Sequence, residues 1–135
     1  MESRFVKQEG DALRCTICPH LCVLSAGKRG LCGSKENQDG RIVDLSYGKL
    51  SALAVDPIEK KPLAHFYPGS ISLSISSIGC NFTCPWCQNF GLSQSKIDDA
   101  QTRYMEPEAV VEIAMAQDCT SISYTYNAVS YTHLT

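Results

Sequence analysis

The stretch that most limits what this chain can become is ISLSISSIGCNFTCPWCQN, Ile71 to Asn89, which drives a strand straight into three closely spaced cysteines. Ile71, Leu73 and Ile75 alternate with Ser72, Ser74 and Ser76, the period-two pattern of a strand with one apolar and one polar face. The strand stops at Gly79, and Cys80, Cys84 and Cys87 follow with the spacing C-x3-C-x2-C, so one short loop gathers three thiolates. Thiolates are soft ligands that favour Fe–S clusters, zinc or Cu(I). A [4Fe–4S] cluster ordinarily takes one cysteine per iron, so three cysteines leave the fourth iron open to another ligand. Structural zinc instead wants a closed set of four. The loop holds no fourth cysteine or histidine, and His20, His65 and His133 lie far along the chain. A zinc site completed by a distant residue, or free buried thiols, are the competing readings.

With Trp86 just before the last cysteine, this spacing resembles the signature of radical S-adenosylmethionine (SAM) enzymes. The longer run GCNFTCPWCQN, preceded by DPIEKKPLAHFYPGS, is similar to one branch of them, the AmmeMemoRadiSam system radical SAM proteins, relatives of the pyruvate formate-lyase activating enzymes. The resemblance covers most of the chain, from Cys15 to Asn127. It implies a [4Fe–4S] cluster on Cys80, Cys84 and Cys87 whose open iron chelates the amino and carboxylate groups of SAM. One electron from the reduced cluster then enters the C–S bond, releasing methionine and a 5′-deoxyadenosyl radical that abstracts hydrogen from a substrate. The cofactor carries that chemistry, and the protein supplies ligation, orientation and exclusion of water. The resemblance also implies an electron donor such as flavodoxin or ferredoxin, and association with Memo-like or AMMECR-like proteins as partners or substrates. In activating enzymes the target is a protein backbone glycine, but nothing in these residues marks a docking surface for one. Trp86 would pack near the adenine; on its residue type alone it reads as core.

The 135 residues suit about one small domain, and 44% hydrophobic with 19% charged residues is an ordinary globular balance. A net charge of −2 gives no electrostatic case for a nucleic-acid or membrane partner. Residues 1–10 lack the apolar core of a signal peptide, and no apolar run approaches a membrane span, so the expected location is cytoplasmic. In that reducing setting eight cysteines argue for metal before disulfides. Cys15, Cys18, Cys22 and Cys32 form a second group, C-x2-C-x3-C-x9-C, a complete tetrahedral donor set. Zinc, an auxiliary Fe–S cluster and metal-free thiols all remain open for it. His20 could replace one cysteine as a ligand, but because four thiolates suffice it is expected to lie in that loop without coordinating.

The expected fold class is α/β, the start of a partial (β/α) radical SAM barrel, with four parts: a Cys-rich metal-binding segment (1–40), a β-hairpin and linker (41–69), the first βαβ unit (70–127) and a tail (128–135). In the second part, GRIVDLSYGKLSALAVDP reads as a hairpin turning at Gly48 and ended by Asp56-Pro57. Lys60 and Lys61 read as a solvated pair, and His65 as either a loop histidine or a donor to a cluster sulfur. Glu106-Pro107-Glu108 opens a helix that ends near Asp118-Cys119, with Cys119 a small buried hydrophobe, and Ser121 to Tyr126 reads as a second, parallel strand. One such repeat cannot cover both faces of a parallel sheet, so the chain is expected to be a fragment, inactive alone. The family pattern YTYNEP has a glutamate after the asparagine, whereas Asn127 is followed by Ala128 and Val129, which puts the SAM amino-group contact in doubt. The ending AVSYTHLT, His133 included, resembles a translated adapter sequence and is expected to be artefactual.

Overall fold

The computed structural model describes residues 4–63 and 65–127. The expectations about Ala128, Val129, His133 and the rest of the tail lie outside the described residues. In chain order the strands are β1 (Val6–Glu9), β2 (Ala12–Cys15), β3 (Val23–Leu24), β4 (Lys35–Gln38), β5 (Arg41–Asp44), β6 (Lys49–Leu50) and β7 (Ala52–Pro57). After a 3-10 turn at Ile58–Lys60 come β8 (Ile71–Ser76), the single-turn helix α1 (Phe90–Ser93), β9 (Arg103–Tyr104), the helix α2 (Pro107–Ala116) and β10 (Ser121–Tyr124).

The cysteine-bearing strand β8 is the middle of a three-stranded sheet, order β10-β8-β7, parallel to β10 and antiparallel to β7. Its apolar face, Leu73 and Ile75, packs with Met105, Val110 and Ala114, so α2 covers the sheet from that side. Pro107 stands at the first helical position, where its missing N–H costs nothing, and Glu106 is the N-cap residue. At the other end Asp118 takes φ 51°, and Cys119 N–H donates to the Ala114 carbonyl at 2.9 Å, closing the helix in a left-handed cap. Cys119 packs against the α2 cluster, but it is half-buried rather than buried as expected. The strand–helix–strand unit therefore stands where the sequence places it. The sheet is open, and no barrel closes among the described residues.

The polar face of β8 is not a solvated face. Ser72, Ser74 and Ser76 are all buried, and each finds a hydroxyl or carboxylate partner: Ser123 at 2.6 Å, Asp56 at 2.7 Å and Ser51 at 2.9 Å. Serine suits such a position because its small hydroxyl is satisfied by one neighbour, so burial leaves no orphaned group.

The hairpin expected around Gly48 does not form. β5 pairs instead with β4, while β7 pairs with β8. The turn that wins is Asp39-Gly40, with φ 50° and 77°, a two-residue connection of the type that matches strand twist and requires left-handed backbone at both positions. β6 is left to pair with β9, tying the residues after Gly48 to the approach of α2. The amino-terminal sheet, order β1-β2-β3, encloses a small apolar cluster of Leu13, Cys15, Leu24 and Ile42. No helix among the described residues is long and apolar enough to cross a membrane.

Candidate metal centre

The four-cysteine group is gathered into one knot at the end of β2. Cys15 N–H donates to the Cys22 carbonyl at 2.9 Å, and Leu21 N–H to the Cys18 carbonyl at 3.1 Å, folding the chain back on itself between these cysteines. A Cβ placed on Gly30 would sit 3.7 Å from Cys22 Sγ and 3.9 Å from Cys32 Sγ, so both sulfurs face one small space beside a residue with no side chain. Burial pushes the Cys15 thiol up; a backbone hydrogen bond at Ile17 opposes this, and Cys32, Cys18 and Cys22 each push it further up. Cys15 is therefore near enough to the other three cysteines of the knot to feel their charge. Among the described residues no three His, Cys, Asp or Glu side chains already stand as a ligand set. In donor chemistry the four cysteines of the knot fit a thiophilic metal, and two of their sulfurs, Cys22 and Cys32, already face one space.

The second group sits beyond the carboxyl end of β8. Gly79 N–H donates to the Leu92 carbonyl at 3.1 Å, closing a loop that contains Cys80, Cys84 and Cys87. Inside it, Cys87 N–H donates to the Cys84 carbonyl at 3.2 Å, and Phe90 N–H to the Cys87 carbonyl at 3.2 Å, the latter leading into α1. Two of the sulfurs turn toward neighbours in or just after the loop: Cys80 Sγ accepts from Phe82 N–H at 3.4 Å, and Cys87 Sγ lies 3.5 Å from Ser93 Oγ. All three cysteines are half-buried, the condition of ligands to a cluster that must remain reachable. Three soft donors on one closed loop fit a cluster in number and chemistry. Trp86 is 84% exposed, so it is not a core residue.

The two groups are neighbours, which the sequence does not announce. Gly79 adopts φ 90°, and a Cβ there would fall 2.2 Å from the Cys32 carbonyl oxygen, so the backbones of knot and loop touch at a point only glycine can occupy. His20, between Cys18 and Cys22, places Nε2 2.7 Å from the Asn81 carbonyl oxygen and so braces the loop. Arg29 pairs with Glu36 beside it and with Asp98 beyond α1. Together they wall a cleft of about 570 Å³ with Arg29, Cys32 and Glu36 on one side and Cys80, Ser93 and Asp98 on the other.

Away from the sulfurs, the expected solvated lysine pair is a correction. Lys60 Nζ and Lys61 Nζ lie 2.8 and 3.0 Å from the two oxygens of Asp56, and the Lys61 side chain is only 10% exposed. Ser74 and the Tyr126 hydroxyl donate to the same carboxylate at 2.7 and 2.8 Å. Lys60, Ser74, Lys61 and Tyr126 together hold the Asp56 carboxyl well below the usual carboxylate range. A carboxylate one residue before a strand-ending proline, with two lysines four and five residues on, carries the local half of this signal. Ser74 and Tyr126 come from across the sheet and carry no local sign. His65 lies exposed in the turn before β8, as the loop reading expects. Asn127 donates to the Ser77 carbonyl at 2.7 Å, fixing the end of the chain segment after β10 beside the start of the cysteine loop.

No family model matches the chain, and no solved structure does. Over 122 residues, 90% of its length, it is 46% identical to a protein of Methanocaldococcus jannaschii described only as uncharacterized, and it spans 37% of that relative's length.

Proposed function

We propose that the chain carries the cluster-binding part of a radical SAM enzyme working in the cytoplasm. The observation that supports this best is the loop closed between Gly79 and Leu92, which presents three cysteines and no fourth soft ligand of its own at the carboxyl end of a strand in a parallel βαβ unit. Chemistry in α/β folds is placed at that end of the strands. Cys80, Cys84 and Cys87 are the residues that would hold a [4Fe–4S] cluster. When bound, the cluster would supply the electron that cleaves SAM to a 5′-deoxyadenosyl radical for hydrogen abstraction.

The chain's own residues do the rest. β8 fixes where the loop begins, because its apolar face is held under α2 and its serines are held by Ser123, Asp56 and Ser51. Gly79 turns the chain sharply out of the strand, and Leu92 closes the loop behind the last cysteine. Trp86, exposed beside Cys87, offers an aromatic face for an adenine. The cleft lined by Cys80 and Ser93 leaves one side of the loop open to a small molecule. Cys15, Cys18, Cys22 and Cys32 would hold zinc or an auxiliary Fe–S cluster. An electron donor such as flavodoxin or ferredoxin, and Memo-like or AMMECR-like partners, belong to the same proposal.

Anaerobic reconstitution with iron and sulfide tests it. The native chain should turn brown, and Cys80→Ser should lose about four irons per chain, the complement of one cubane. A colourless protein that takes up only zinc would instead make the chain a non-catalytic zinc-binding module.

A further inference from the structure

The knot meets the loop at two points and the segment just beyond α1 at a third. The Cys32 carbonyl lies against Gly79, His20 Nε2 against the Asn81 carbonyl, and the Arg29 guanidinium against Asp98. All three knot-side residues lie between Cys18 and Cys32, within the segment the four cysteines would enclose. All three loop-side residues belong to the run from Gly79 to Asp98 that contains Cys80, Cys84 and Cys87.

We propose that the knot is the scaffold of the loop, with His20 and Gly79 as its positioning residues. Metal binding by Cys15, Cys18, Cys22 and Cys32 sets the conformation in which Cys80, Cys84 and Cys87 are presented. The inference rests on the reading of the knot as a metal site.

The physical argument begins with size. Four buried residues, Leu13, Cys15, Leu24 and Ile42, are the core of the knot's own cluster, too few to fix a segment rich in turns. In small sites of this kind the binding free energy of the metal is folding free energy. Cys32 is both a candidate ligand and the residue whose carbonyl abuts Gly79, so fixing its sulfur fixes that carbonyl to within one side chain's reach. His20 sits between two ligands, so it is fixed at the same moment. The loop, by contrast, is tied at its ends by one backbone hydrogen bond, from Gly79 to Leu92. Gly79 transmits the contact because it has no side chain: a Cβ would collide with the Cys32 oxygen, and the two backbones would have to part. Asn81 is buried with its carbonyl on His20, so the residue next to Cys80 is held from outside the loop.

The test is amide hydrogen exchange of this 135-residue chain carrying Cys80→Ser, Cys84→Ser and Cys87→Ser, with and without one equivalent of Zn(II). With the loop cysteines removed, the knot is the four-thiol site left for zinc. Zinc should slow exchange across residues 79–92 about tenfold, because local opening of the loop then requires breaking contacts with a fixed partner. His20→Ala in the same chain should still bind zinc but lose most of that slowing, and His20→Gln, which keeps an N–H donor, should recover it. Cys18→Ser should show the fast exchange under both conditions. Loop exchange that is indifferent to zinc would overturn the proposal, as would full protection in His20→Ala or failure of the chain to take up zinc. Because no cluster can form on the three serines, this result is independent of whether the native loop binds iron. A native chain without a cluster would sink the proposed function and leave the exchange comparison standing.

Discussion

The two cysteine groups differ in what holds them. In the knot, the cysteines stand close together: Cys15 is raised by burial and by Cys32, Cys18 and Cys22, and Cys22 and Cys32 face the same space beside Gly30. In the loop, the Cys80 and Cys87 sulfurs lean on Phe82 N–H and Ser93, and the loop is held from outside where His20 meets the Asn81 carbonyl and the Cys32 carbonyl abuts Gly79. The first arrangement suits a closed structural site, in which four donors complete the coordination. The second suits an open one, in which the protein supplies three donors and must hold them without closing the set. A site that has to leave a position vacant cannot rely on its own ligands for rigidity, so rigidity has to come from neighbours.

The largest expected effect follows from the metal dependence proposed for the knot. If the knot is a metal site as proposed, a chelator, or replacing Cys18 by Ser, should unfold residues 15–33, since metal binding in comparable thiolate sites is worth on the order of 10 kcal/mol of folding free energy. Circular dichroism and exchange should show the loss there, with α2 retaining its protection. Cys84→Ser should leave the fold intact. If both substitutions had equal effects on stability, the contrast between the groups would collapse.

Next in size is Asp56. Removing its carboxylate with Asp56→Ala leaves Lys61 buried without its counter-ion and should cost roughly 3–5 kcal/mol in urea unfolding. Metal uptake at the knot should be unchanged, because the sheet β10-β8-β7 and the knot have separate apolar clusters. The pH dependence has a definite sign. The folded-state carboxyl is depressed below its unfolded value, so its stabilisation is fully present above about pH 4 to 5 and declines as pH falls toward the folded value. Unfolding midpoints that rose on acidification from pH 5 to pH 3 would contradict the assignment of Asp56 as the paired anion.

Gly79→Ala comes third. The left-handed backbone and the 2.2 Å approach to the Cys32 oxygen act together, and a cost of about 2–3 kcal/mol is expected. Thermal unfolding checks it, and the exchange of residues 79–92 should rise with it. Smallest is Asp98→Ala: the Arg29–Asp98 pair is exposed and Arg29 keeps Glu36, so unfolding midpoints should move within experimental scatter.

Much of the fold is visible in the residues because its signals are local. The alternation of β8, Pro107 at the start of α2 and the return strand β10 each depend on neighbours in sequence. The pairing of β5 is ambiguous in sequence because two turn signals compete over about a dozen residues: Tyr47-Gly48-Lys49 and Asp39-Gly40. Asp-Gly is the stronger hairpin signal, having two residues that tolerate positive φ rather than one. Burial of the β8 serines was likewise invisible, since alternation reports polarity and not whether a second layer of polar groups covers that face. For the candidate site, the cysteine spacing was readable, but its bracing was not. His20 and Asn81 stand 61 residues apart, Arg29 and Asp98 stand 69 apart, and nothing in either stretch alone marks them as partners.

The measurement closest to the central claim is electron paramagnetic resonance of the anaerobically reconstituted, reduced chain, recorded before and after addition of SAM. A [4Fe–4S] signal that depends on Cys80, Cys84 and Cys87, and whose g-values shift when SAM is added, is the expected result, because the fourth iron would accept the new ligand. A reduced cluster whose spectrum is unmoved by saturating SAM, or a signal that survives replacement of all three cysteines, would contradict it.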